Sequence, residues 1–547
     1  MKISNINYIF LLLCAGMISL SACKKNFLSV NNPAAISDQD VYKDASLLRL
    51  LVNGIYNDRP GWDYNTYNNI TDEARSNYPG GPNSILVGNW DAVNNPMGVY
   101  ETSYVSIRKM NEFFSKIPAS TIDAATKTEL SAEVYFLRAF AYLDLVKRYG
   151  GVPLIDKPQA LTDDLFIPRS TIDQTFSFIL ADLEKAIADL PAAAPRGMAT
   201  KGAAMALKGR VLLYAASPLY ASSNSTASWA AAAAANKAVM DLGTYQLFPD
   251  LTKLWLNTPN KESIFEIDYS IPQKQTGLDA KVKPVILANN DAGQLSPTQD
   301  LVNAFPMANG KAITDPTSGY DPGNPYIGRD SRFYAYIAYN GTMMTGTTSG
   351  PPLKTITLQI YDGGRDFNGD PALQIYNTIT GYYCIKAINP NNTVYTYGSG
   401  SDQPFMDIRY AEVLLNYAEA QNEASGPDQS VYNAINLVRS RAGITQPVTG
   451  LNQVQVRNLI INERFVEFCF EDKRYWDLRR WKLAATVINN RKALGAFITK
   501  NANNTFSYQY VSVDPQNMVF LDKMYFMPIP FSELTKNKNL VQNPGWQ

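Results

Sequence analysis

The stretch INERFVEFCFEDKRYWDLRRWK, residues 461–482, places acidic and basic side chains at helical spacing among aromatic residues. It lies in a helical pattern from Val454 to about Asn489, which we expect to be interrupted. Two neighbouring carboxylates can form a catalytic acid–base pair. With so many cations beside them, these carboxylates should instead be ionised and salt-bridged. The stretch therefore predicts a structural ion-pair network, with Trp476 and Trp481 in the scaffold; its charged members are Glu463, Arg464, Glu467, Arg474, Asp477, Arg479 and Arg480.

A second helical pattern precedes this stretch in Asp407–Glu423. Its polar residues recur at spacings of three and four and form one narrow stripe, which predicts a largely buried helix. Val431–Arg441 follows as its hairpin partner and ends at Gly443. The stripe consists of Arg409, Glu412, Asn416, Glu419 and Glu423.

The first half of the chain is also rich in helical patterns, but we find no strict sequence period, so a repeat architecture is a hypothesis. Six consecutive alanines, Ala230–Ala235, favour close helix–helix approach, as in stacked helical hairpins. The predicted helices are 41–56, 99–117, 123–149, 170–190, 200–214 and 228–242.

A different composition, dominated by Gly, Pro, Asn, Asp and Tyr, separates these two helical parts. The segment with this composition is too long to be a connection inside one compact unit. Within it, the residues of stretches such as Lys354–Tyr361 alternate in polarity, as in strands. We therefore expect a mainly α protein with a helical part at 23–255, an irregular loop-rich part with a few short strands at 256–405, and a helical part at 406–547.

Composition narrows the classes of function. The chain has 547 residues and no histidine, which excludes histidine-dependent catalytic triads and histidine-ligated metal sites. Lys+Arg and Asp+Glu number 49 each, which argues against a nucleic-acid binder that relies on overall basic charge. Aromatic residues are plentiful, with 33 Tyr, 23 Phe and 7 Trp, and favour recognition through ring contacts.

The N-terminus has the layout of a secretory signal peptide. Residues 1–22, MKISNINYIFLLLCAGMISLSA, contain one basic residue, a short apolar run and a small-residue end. The following LSAC, Leu20–Cys23, resembles the lipobox of bacterial lipoproteins, in which Cys23 would carry the lipid; an ordinary cleaved signal is the alternative. The remaining Cys384 and Cys469 are no disulfide framework, and Cys469 is expected to be a buried thiol.

Four ordered stretches resemble the SusD/RagB family of surface lipoproteins from Bacteroidetes. They are RYAEVLLNYAEAQNEAS (409–425), AINLVRSRAGI (434–444), the opening stretch 461–482 and FMPIPFSELTKNKNLVQNPGW (526–546). Gly381-Tyr382-Tyr383 with Lys386 resembles a further family landmark, and Trp546 in the last stretch should hold the C-terminus in place.

The resemblance implies both a fold and a function. The fold would be a scaffold of tetratricopeptide-like helix pairs with an irregular region packed on it, the whole mature chain forming one unit. The function would be non-catalytic binding of oligo- or polysaccharides at the outer membrane, with delivery to a SusC-like TonB-dependent transporter. A peptide- or protein-binding scaffold of the same uptake type is the alternative, and a glycoside hydrolase with two carboxylates is a second one.

Sugars pack their C–H faces on aromatic rings and hydrogen-bond to Asn, Asp, Gln or Arg. Such residues coincide outside helical patterns in residues 58–98, a Gly- and Pro-rich loop region that includes Trp62, Tyr64 and Tyr67. Asn69–Arg75 resembles the acidic stretch that precedes the ligand region in the family. From this region we predict ligand contacts by Asp72, Arg75, Tyr78 and Trp90, with Trp90 as the platform ring.

The irregular part offers a second group of candidates in turn-rich sequence. Tyr320 and Tyr326 are predicted ligand contacts there. Asn289-Asn290-Asp291 belongs to the same candidate group, and Tyr395 with Tyr397 is a third candidate for ligand contact. Asp366–Asp370 alternates carboxylate and amide ligands as calcium loops do. Pro371 and Asn377 depart from that pattern, so a polar turn is expected, calcium is the alternative, and no other cofactor or metal is predicted.

Overall fold

The computed structural model describes residues 38–63, 66–77, 83–221, 225–288, 292–346, 352–367, 377–392 and 400–546. The predicted signal peptide and Cys23 lie outside the described residues. The described chain is mainly helical, as predicted. Its α-helices are α1 Asp38–Val41, α2 Ala45–Tyr56, α3 Asn83–Leu86, α4 Tyr100–Lys116, α5 Ala124–Tyr149, α6 Ile172–Asp189, α7 Lys201–Ala216, α8 Ser225–Asp241, α9 Leu278–Val282, α10 Gln299–Ala304, α11 Ser331–Tyr336, α12 Tyr410–Ser425, α13 Gln429–Arg441, α14 Gln453–Glu467, α15 Arg474–Arg480, α16 Ala484–Val487 and α17 Phe531–Lys536.

Local sequence explains where the long helices begin and end. Asp123 caps α5 by accepting a hydrogen bond from the Thr126 backbone N–H, and Gly150, at φ 73°, follows its last residue. Helix α6 opens with a capping box between Thr171 and Gln174. The predicted break in the 454–489 pattern is confirmed, since α14, α15 and α16 are separate helices.

Helices that follow one another in the chain pack together in pairs, which confirms the tetratricopeptide-like scaffold. Helix α5 packs on α6, α7 on α8, and α12 packs against both α8 and α13. The alanine-rich α8 approaches its neighbours closely, as predicted: Ala232 and Ala233 are buried with Leu213 and Leu414 in one cluster. A Cβ at Gly209 of α7 would lie 2.6 Å from the Asn236 side chain, so only glycine permits this approach.

Short strands pair in five two-stranded antiparallel sheets among the described residues. The β2–β8 pair joins the irregular part to the start of the C-terminal helices, because Ile267 lies opposite Phe405 and Ser263 opposite Arg409. The strands are β1 Ala74–Arg75, β2 Ser263–Ile267, β3 Ser296–Pro297, β4 Ile337–Ala338, β5 Met343–Gly346, β6 Lys354–Thr357, β7 Tyr383–Cys384, β8 Phe405–Arg409, β9 Leu494–Lys500 and β10 Phe506–Ser512. They pair as β1–β3, β2–β8, β4–β7, β5–β6 and β9–β10.

The C-terminal tail is tied to the helices, as the sequence predicts. The indole Nε1 of Trp546 donates to the carbonyl oxygens of Lys523 and Phe526, at 2.9 and 2.8 Å. Trp476 is buried, and Trp481 donates through Nε1 to the Glu419 carboxylate at 2.7 Å. Within the described part of the chain, no helix is both long enough and apolar enough to span a membrane.

Candidate functional site

A cavity of about 920 Å³ is lined by helices α4 and α5 and by loop residues 58–63, Thr66 and Tyr67. Strand β8 contributes Phe405 and Asp407, and the turn before α15 contributes Asp472. This volume lies within the range of ligand-binding clefts. The loop is the beginning of the region 58–98 in which the sequence predicts ligand contacts, so the cavity is the first candidate site.

Trp62 is the aromatic residue that this loop places in the cavity wall. It is half-buried, and its ring lies edge-on to Phe405 at 5.2 Å. Its indole Nε1 donates to the Gln403 carbonyl at 3.0 Å, and its backbone N–H donates to the Tyr269 hydroxyl at 3.3 Å. A Cβ at Gly61 would lie 1.7 Å from that hydroxyl, so glycine allows the close contact. The ring is therefore held in one orientation while part of its surface stays accessible.

Tyr67 forms a second aromatic part of the wall. Its ring lies 5.1 Å from Trp476 and 5.7 Å from Tyr475. Its hydroxyl accepts a hydrogen bond from the Arg148 guanidinium at 2.7 Å. Burial raises the pKa of Tyr67 to about 12, although Arg148 opposes this, so the hydroxyl is protonated at neutral pH. These contacts fix the ring as part of the wall.

Ion pairs neutralise the deeper charges of the cavity. Arg59 donates to Asp144 and to Asp407, each at 3.1 Å, and its guanidinium lies 3.6 Å from the centre of the Phe140 ring. Burial alone would raise the pKa of Asp144, but Arg59, Lys147 and the other nearby cation lower it below its usual value. Asp144 is thus ionised and engaged, and it belongs to the wall.

Lys147 is a cation of the cavity whose protonation is strongly perturbed by burial. Its ammonium lies 4.3 Å from the centre of the Trp476 ring and 3.7 Å from Asp144 Oδ1. Burial lowers the pKa of Lys147 to about 7, even though Asp144 favours the charged form. Lys147 therefore titrates near neutral pH inside the cavity wall.

Asp472 supplies a carboxyl group with unused hydrogen-bonding capacity. Its backbone has φ 58°, and its backbone N–H donates to Asn68 Oδ1 at 3.1 Å. Its Oδ1 is buried and has no hydrogen-bond partner in the described structure. Burial, and then the nearby Asp63 and Glu73, raise the pKa of Asp472 well above its usual value. A protonated carboxyl at the wall of a cavity can donate to a ligand hydroxyl and also accept from one.

Asp72 and Arg75, both predicted ligand contacts, hold the fold together instead. Asp72 forms a two-point ion pair with Arg474 at 2.9 and 2.7 Å. Arg75 pairs with Asp514 at 2.7 and 3.0 Å and also donates to backbone carbonyls, including that of Thr71 at 2.6 Å. Both are buried. The prediction is corrected because other residues of the fold, near and distant in sequence, already bind the polar atoms of both side chains.

Trp90, the predicted platform ring, lies in the core. It is 6% exposed, and its ring centre lies 4.6 Å from that of Trp546. The sequence pattern could not show this partner, which comes from the other end of the chain. A platform role for Trp90 is therefore corrected: the two indoles pack together where the C-terminal tail is anchored.

The two predicted tyrosines of the irregular part have different environments. Tyr320 is half-buried, and its ring centre lies 5.8 Å from the Arg329 guanidinium. Tyr326 is buried among other aromatic rings, 4.4 Å from Tyr339 and 5.5 Å from Tyr508. The prediction that Tyr326 contacts a ligand directly is therefore corrected, whereas a ligand contact by Tyr320 stays a prediction.

Several predicted residues lie outside the described residues: Tyr78, Asn289–Asp291, Tyr395 and Tyr397. The possible calcium loop is described only in part, and residues 368–370 lie outside it. Asp366 is buried; it accepts from the Arg365 guanidinium at 2.9 and 2.7 Å and from the Gln359 backbone N–H at 2.8 Å. In the described segments, no cluster of three or more acidic or cysteine side chains could hold a metal ion.

The ion-pair network predicted from the opening stretch is confirmed. Arg409 pairs with Glu467 at 2.8 Å and with Glu471 at 2.7 Å, and Arg464 pairs with Asp477 at 2.8 Å. Burial would raise the pKa of Glu467, but the surrounding arginines and Lys386 lower it well below its usual value. Four of the five carboxylates of the stretch are paired with cations, and Asp472 is the exception; the further pairs are Arg332–Glu463, Arg439–Glu463, Lys386–Glu471 and Arg480–Asp477.

Sequence reasoning missed two cavity residues that lie in helix-like or motif-rich segments, Lys147 and Asp472. Lys147 belongs to an amphipathic helix, where a lysine is usually solvated, and Asp472 belongs to the charge-rich stretch assigned to the network. Trp62 carried a usable signal, since it follows Pro60-Gly61 in a loop without helical period. Trp62 lies within the predicted region, although Trp90 is the residue predicted there as the platform ring.

Comparisons with known proteins agree with the fold. The model of the SusD family matches residues 261–546, and a model described as starch-binding associating with outer membrane matches residues 26–213. SusD-like protein P2 of Formosa agariphila is 27% identical over 81% of this chain and 79% of its own. A solved SusD-like protein of Bacteroides fragilis is 30% identical with a TM-score of 0.79, covering 93% of this chain and 99% of its own.

A second solved structure from Bacteroides fragilis, a SusD-like carbohydrate-binding protein, is 25% identical with a TM-score of 0.76; the match covers 92% of this chain and all (100%) of that one. A laminarin-binding SusD-like protein shares the fold at 20% identity and a TM-score of 0.67, over 92% of this chain and 100% of its own. The family matches, the helix-pair fold and the motif-borne ion-pair network agree with one another, and this chain belongs to the SusD family.

Proposed function

We propose that this protein is a lipid-anchored, non-catalytic receptor that binds oligo- or polysaccharide at the outer membrane and passes it to a SusC-like TonB-dependent transporter. Membership of a family described as carbohydrate-binding supports the ligand class. The observation that carries the site assignment is the half-buried, rigidly held Trp62 ring in a cavity of about 920 Å³ that also contains hydroxyl and carboxyl groups.

The cavity supplies both kinds of contact that a sugar requires. The accessible part of Trp62 can pack against the C–H face of a pyranose. Thr66 and Asp472 offer hydroxyl and carboxyl groups at the same wall, and Lys109 pairs with Asp58 at 3.0 Å on its more exposed side. Nearly all charges of the wall are paired, which suits a neutral ligand better than a charged one.

A non-catalytic role agrees with the protonation of the carboxylates. Retaining and inverting glycosidases need two carboxyl groups flanking the scissile bond, one as acid and one as base or nucleophile. Glu467 and Asp477 of the opening stretch are held ionised by arginines, which occupy their carboxylate oxygens. Purified protein should release no reducing ends from a glycan that it binds; measurable release would establish the hydrolase alternative.

A peptide ligand is the other candidate function, since scaffolds of stacked helix pairs also provide surfaces for peptides and proteins. Calorimetry against a polysaccharide panel and against a peptide pool separates the two. We expect heat with a glycan, at a dissociation constant on the order of micromolar to millimolar. Heat with peptides only would contradict the glycan proposal.

The site assignment is tested with Trp62→Ala and, as a matched control, Trp62→Phe. Trp62→Ala should weaken retention in a polysaccharide affinity gel about tenfold or more, because it removes the ring that the sugar packs against. Trp62→Phe keeps an aromatic face while losing the bond to Gln403, so most of the retention should remain. Equal retention of wild type and Trp62→Ala would remove the cavity from the binding site.

The anchor and the transporter are tested separately from the ligand. Cys23→Ala should abolish incorporation of labelled fatty acid and release the protein from the membrane fraction. Affinity purification of the intact lipoprotein from its own outer membrane should recover a TonB-dependent transporter. Retention of the label by Cys23→Ala would contradict the lipobox assignment, and recovery of no transporter would contradict the delivery role.

A further inference from the structure

Five tyrosines from two distant parts of the chain form one surface, called here the tyrosine surface: Tyr320, Tyr334, Tyr339, Tyr508 and Tyr510. Tyr334 and Tyr510 are each 40% exposed, and the other three are half-buried. None of the five lines the cavity. The surface is therefore a second place where aromatic rings meet solvent.

Buried Tyr326 holds the centre of the tyrosine surface together. Its ring centre lies 4.4 Å from that of Tyr339 and 5.5 Å from that of Tyr508. Its backbone carbonyl accepts the Tyr334 hydroxyl at 2.7 Å, and its own hydroxyl bonds to Tyr382 at 3.3 Å. The partly exposed rings thus rest on an aromatic layer that fixes their positions.

The β9–β10 hairpin places two of the tyrosines in a row. Tyr508 and Tyr510 are two residues apart on β10, so their side chains project from the same face about 7 Å apart. Their partners across the ladder, Ile498 and Ala496, are buried. Tyr320 contributes to the raised pKa of Tyr510, so this row lies close to the irregular part of the chain.

The hydroxyl groups of the surface are suited to neutral partners. Burial raises the pKa of Tyr339, of Tyr508 and of Tyr510, so all three remain protonated at neutral pH. In the described structure the hydroxyls of Tyr339 and Tyr508 bond to no other side chain. A protonated phenol can both donate and accept, as a sugar hydroxyl does.

Rings at the edge of a core often serve only to cover it. Here Tyr326, Phe333 and Tyr382 are buried beneath such rings, whereas Tyr334 and Tyr510 each remain 40% exposed in spite of that packing. The five tyrosines form an additional layer outside these three. A contiguous aromatic patch that remains accessible in a folded chain is typical of an interaction site.

We propose that the tyrosine surface binds a neutral polysaccharide chain along its length, independently of the cavity. Because Tyr508 and Tyr510 follow one another along β10, consecutive sugar residues of a chain can stack on successive tyrosines. This inference rests on the proposed glycan-binding function and adds to it a second contact that only long chains can reach together with the cavity. Two linked contacts raise the apparent affinity for a polymer without any tighter single site.

The test compares wild type, Tyr508→Ala/Tyr510→Ala and Tyr508→Phe/Tyr510→Phe in affinity gels that contain laminarin, starch, xylan or galactomannan. The alanine pair should reduce retention by the recognised polymer roughly tenfold, because two stacking rings are lost. The phenylalanine pair keeps both rings and should retain most of the binding. Tyr245→Ala is the matched control, since Tyr245 is a half-buried tyrosine that packs near Tyr410 and Gly202.

Thermal unfolding confirms that each variant is folded at the temperature of the gel, and a single Tyr510→Ala variant replaces the pair if the pair is not. Calorimetry with a short oligosaccharide of the same glycan should give equal affinity for wild type and the alanine pair. Trp62→Ala should weaken the binding of both the oligosaccharide and the polymer. Unchanged polymer retention by the folded alanine variants would overturn the tyrosine surface alone. Failure of wild type to bind any glycan would instead overturn the proposed function.

Discussion

The Asp72 carboxylate and the Arg474 guanidinium form a buried two-point ion pair, at 2.9 and 2.7 Å, between residues 402 positions apart in the chain. The pair joins the region 58–98 to the opening stretch of the C-terminal motifs. The Arg474 guanidinium also lies 3.8 Å from the centre of the Phe465 ring. A residue that the sequence suggests as a ligand contact is therefore a structural link between two parts of the fold.

Asp72→Ala should lower the free energy of unfolding by about 3–5 kcal/mol, because it leaves a buried arginine charge without its partner. Glu423→Gln is the control, since its partner Arg457 is 40% exposed and such a pair contributes under about 1 kcal/mol. Urea denaturation measures both. A change for Asp72→Ala no larger than for Glu423→Gln would contradict the structural role.

Trp90→Ala should destabilise the protein by about 3–5 kcal/mol, because it opens a cavity beside Trp546 in the core. Trp90→Phe, which keeps a ring, should cost less. At a temperature where both variants are folded, polysaccharide retention should match that of wild type. Loss of retention by a folded Trp90→Ala variant would restore Trp90 as a ligand contact.

Lys147 should make the free energy of unfolding depend on pH above neutrality. Its pKa of about 7 in the folded protein is below the value near 10.4 of an unfolded chain, so the unfolded chain binds more protons between these values. The contribution of Lys147 to the free energy of unfolding should rise from about pH 7 to about pH 10, by up to about 1.4 kcal/mol per pH unit. Below pH 7 this contribution should not change with pH. Lys147→Met should remove this component, measured as the difference between urea denaturation series at pH 6–9; parallel series would contradict the burial of the ammonium.

The thiols of Cys384 and Cys469 should be unreactive in the native protein. Both are buried, and burial raises the pKa of Cys384 to about 12 and that of Cys469 well above its usual value. Since the thiolate is the reactive form, a chain beginning at residue 38 should react with a thiol reagent only after unfolding in denaturant. Rapid labelling of the folded chain would show that the region around Cys469 opens.

Local patterns predicted the elements that depend on local physics. The helices over 123–149 and 170–190, the break after α14 and the largely buried α12 depend on a few neighbouring residues. The ion-pair network could also be predicted, because carboxylates and arginines at helical spacing have few alternatives once they are buried. The candidate site could be predicted only as a region, since loop residues carry no period that shows which rings face solvent.

The sequence by itself determined the helix-pair scaffold, the charge network and the family, because helical periodicity, capping residues and motif spacing are written along the chain. Only the tertiary structure decided which polar and aromatic residues are free to meet a ligand. Asp72 and Trp90 are satisfied by Arg474 and Trp546, partners that lie hundreds of residues away and that no local pattern could identify. Exposure depends on such long-range contacts, and it moved the candidate site to Trp62 and brought the five tyrosines together on one surface.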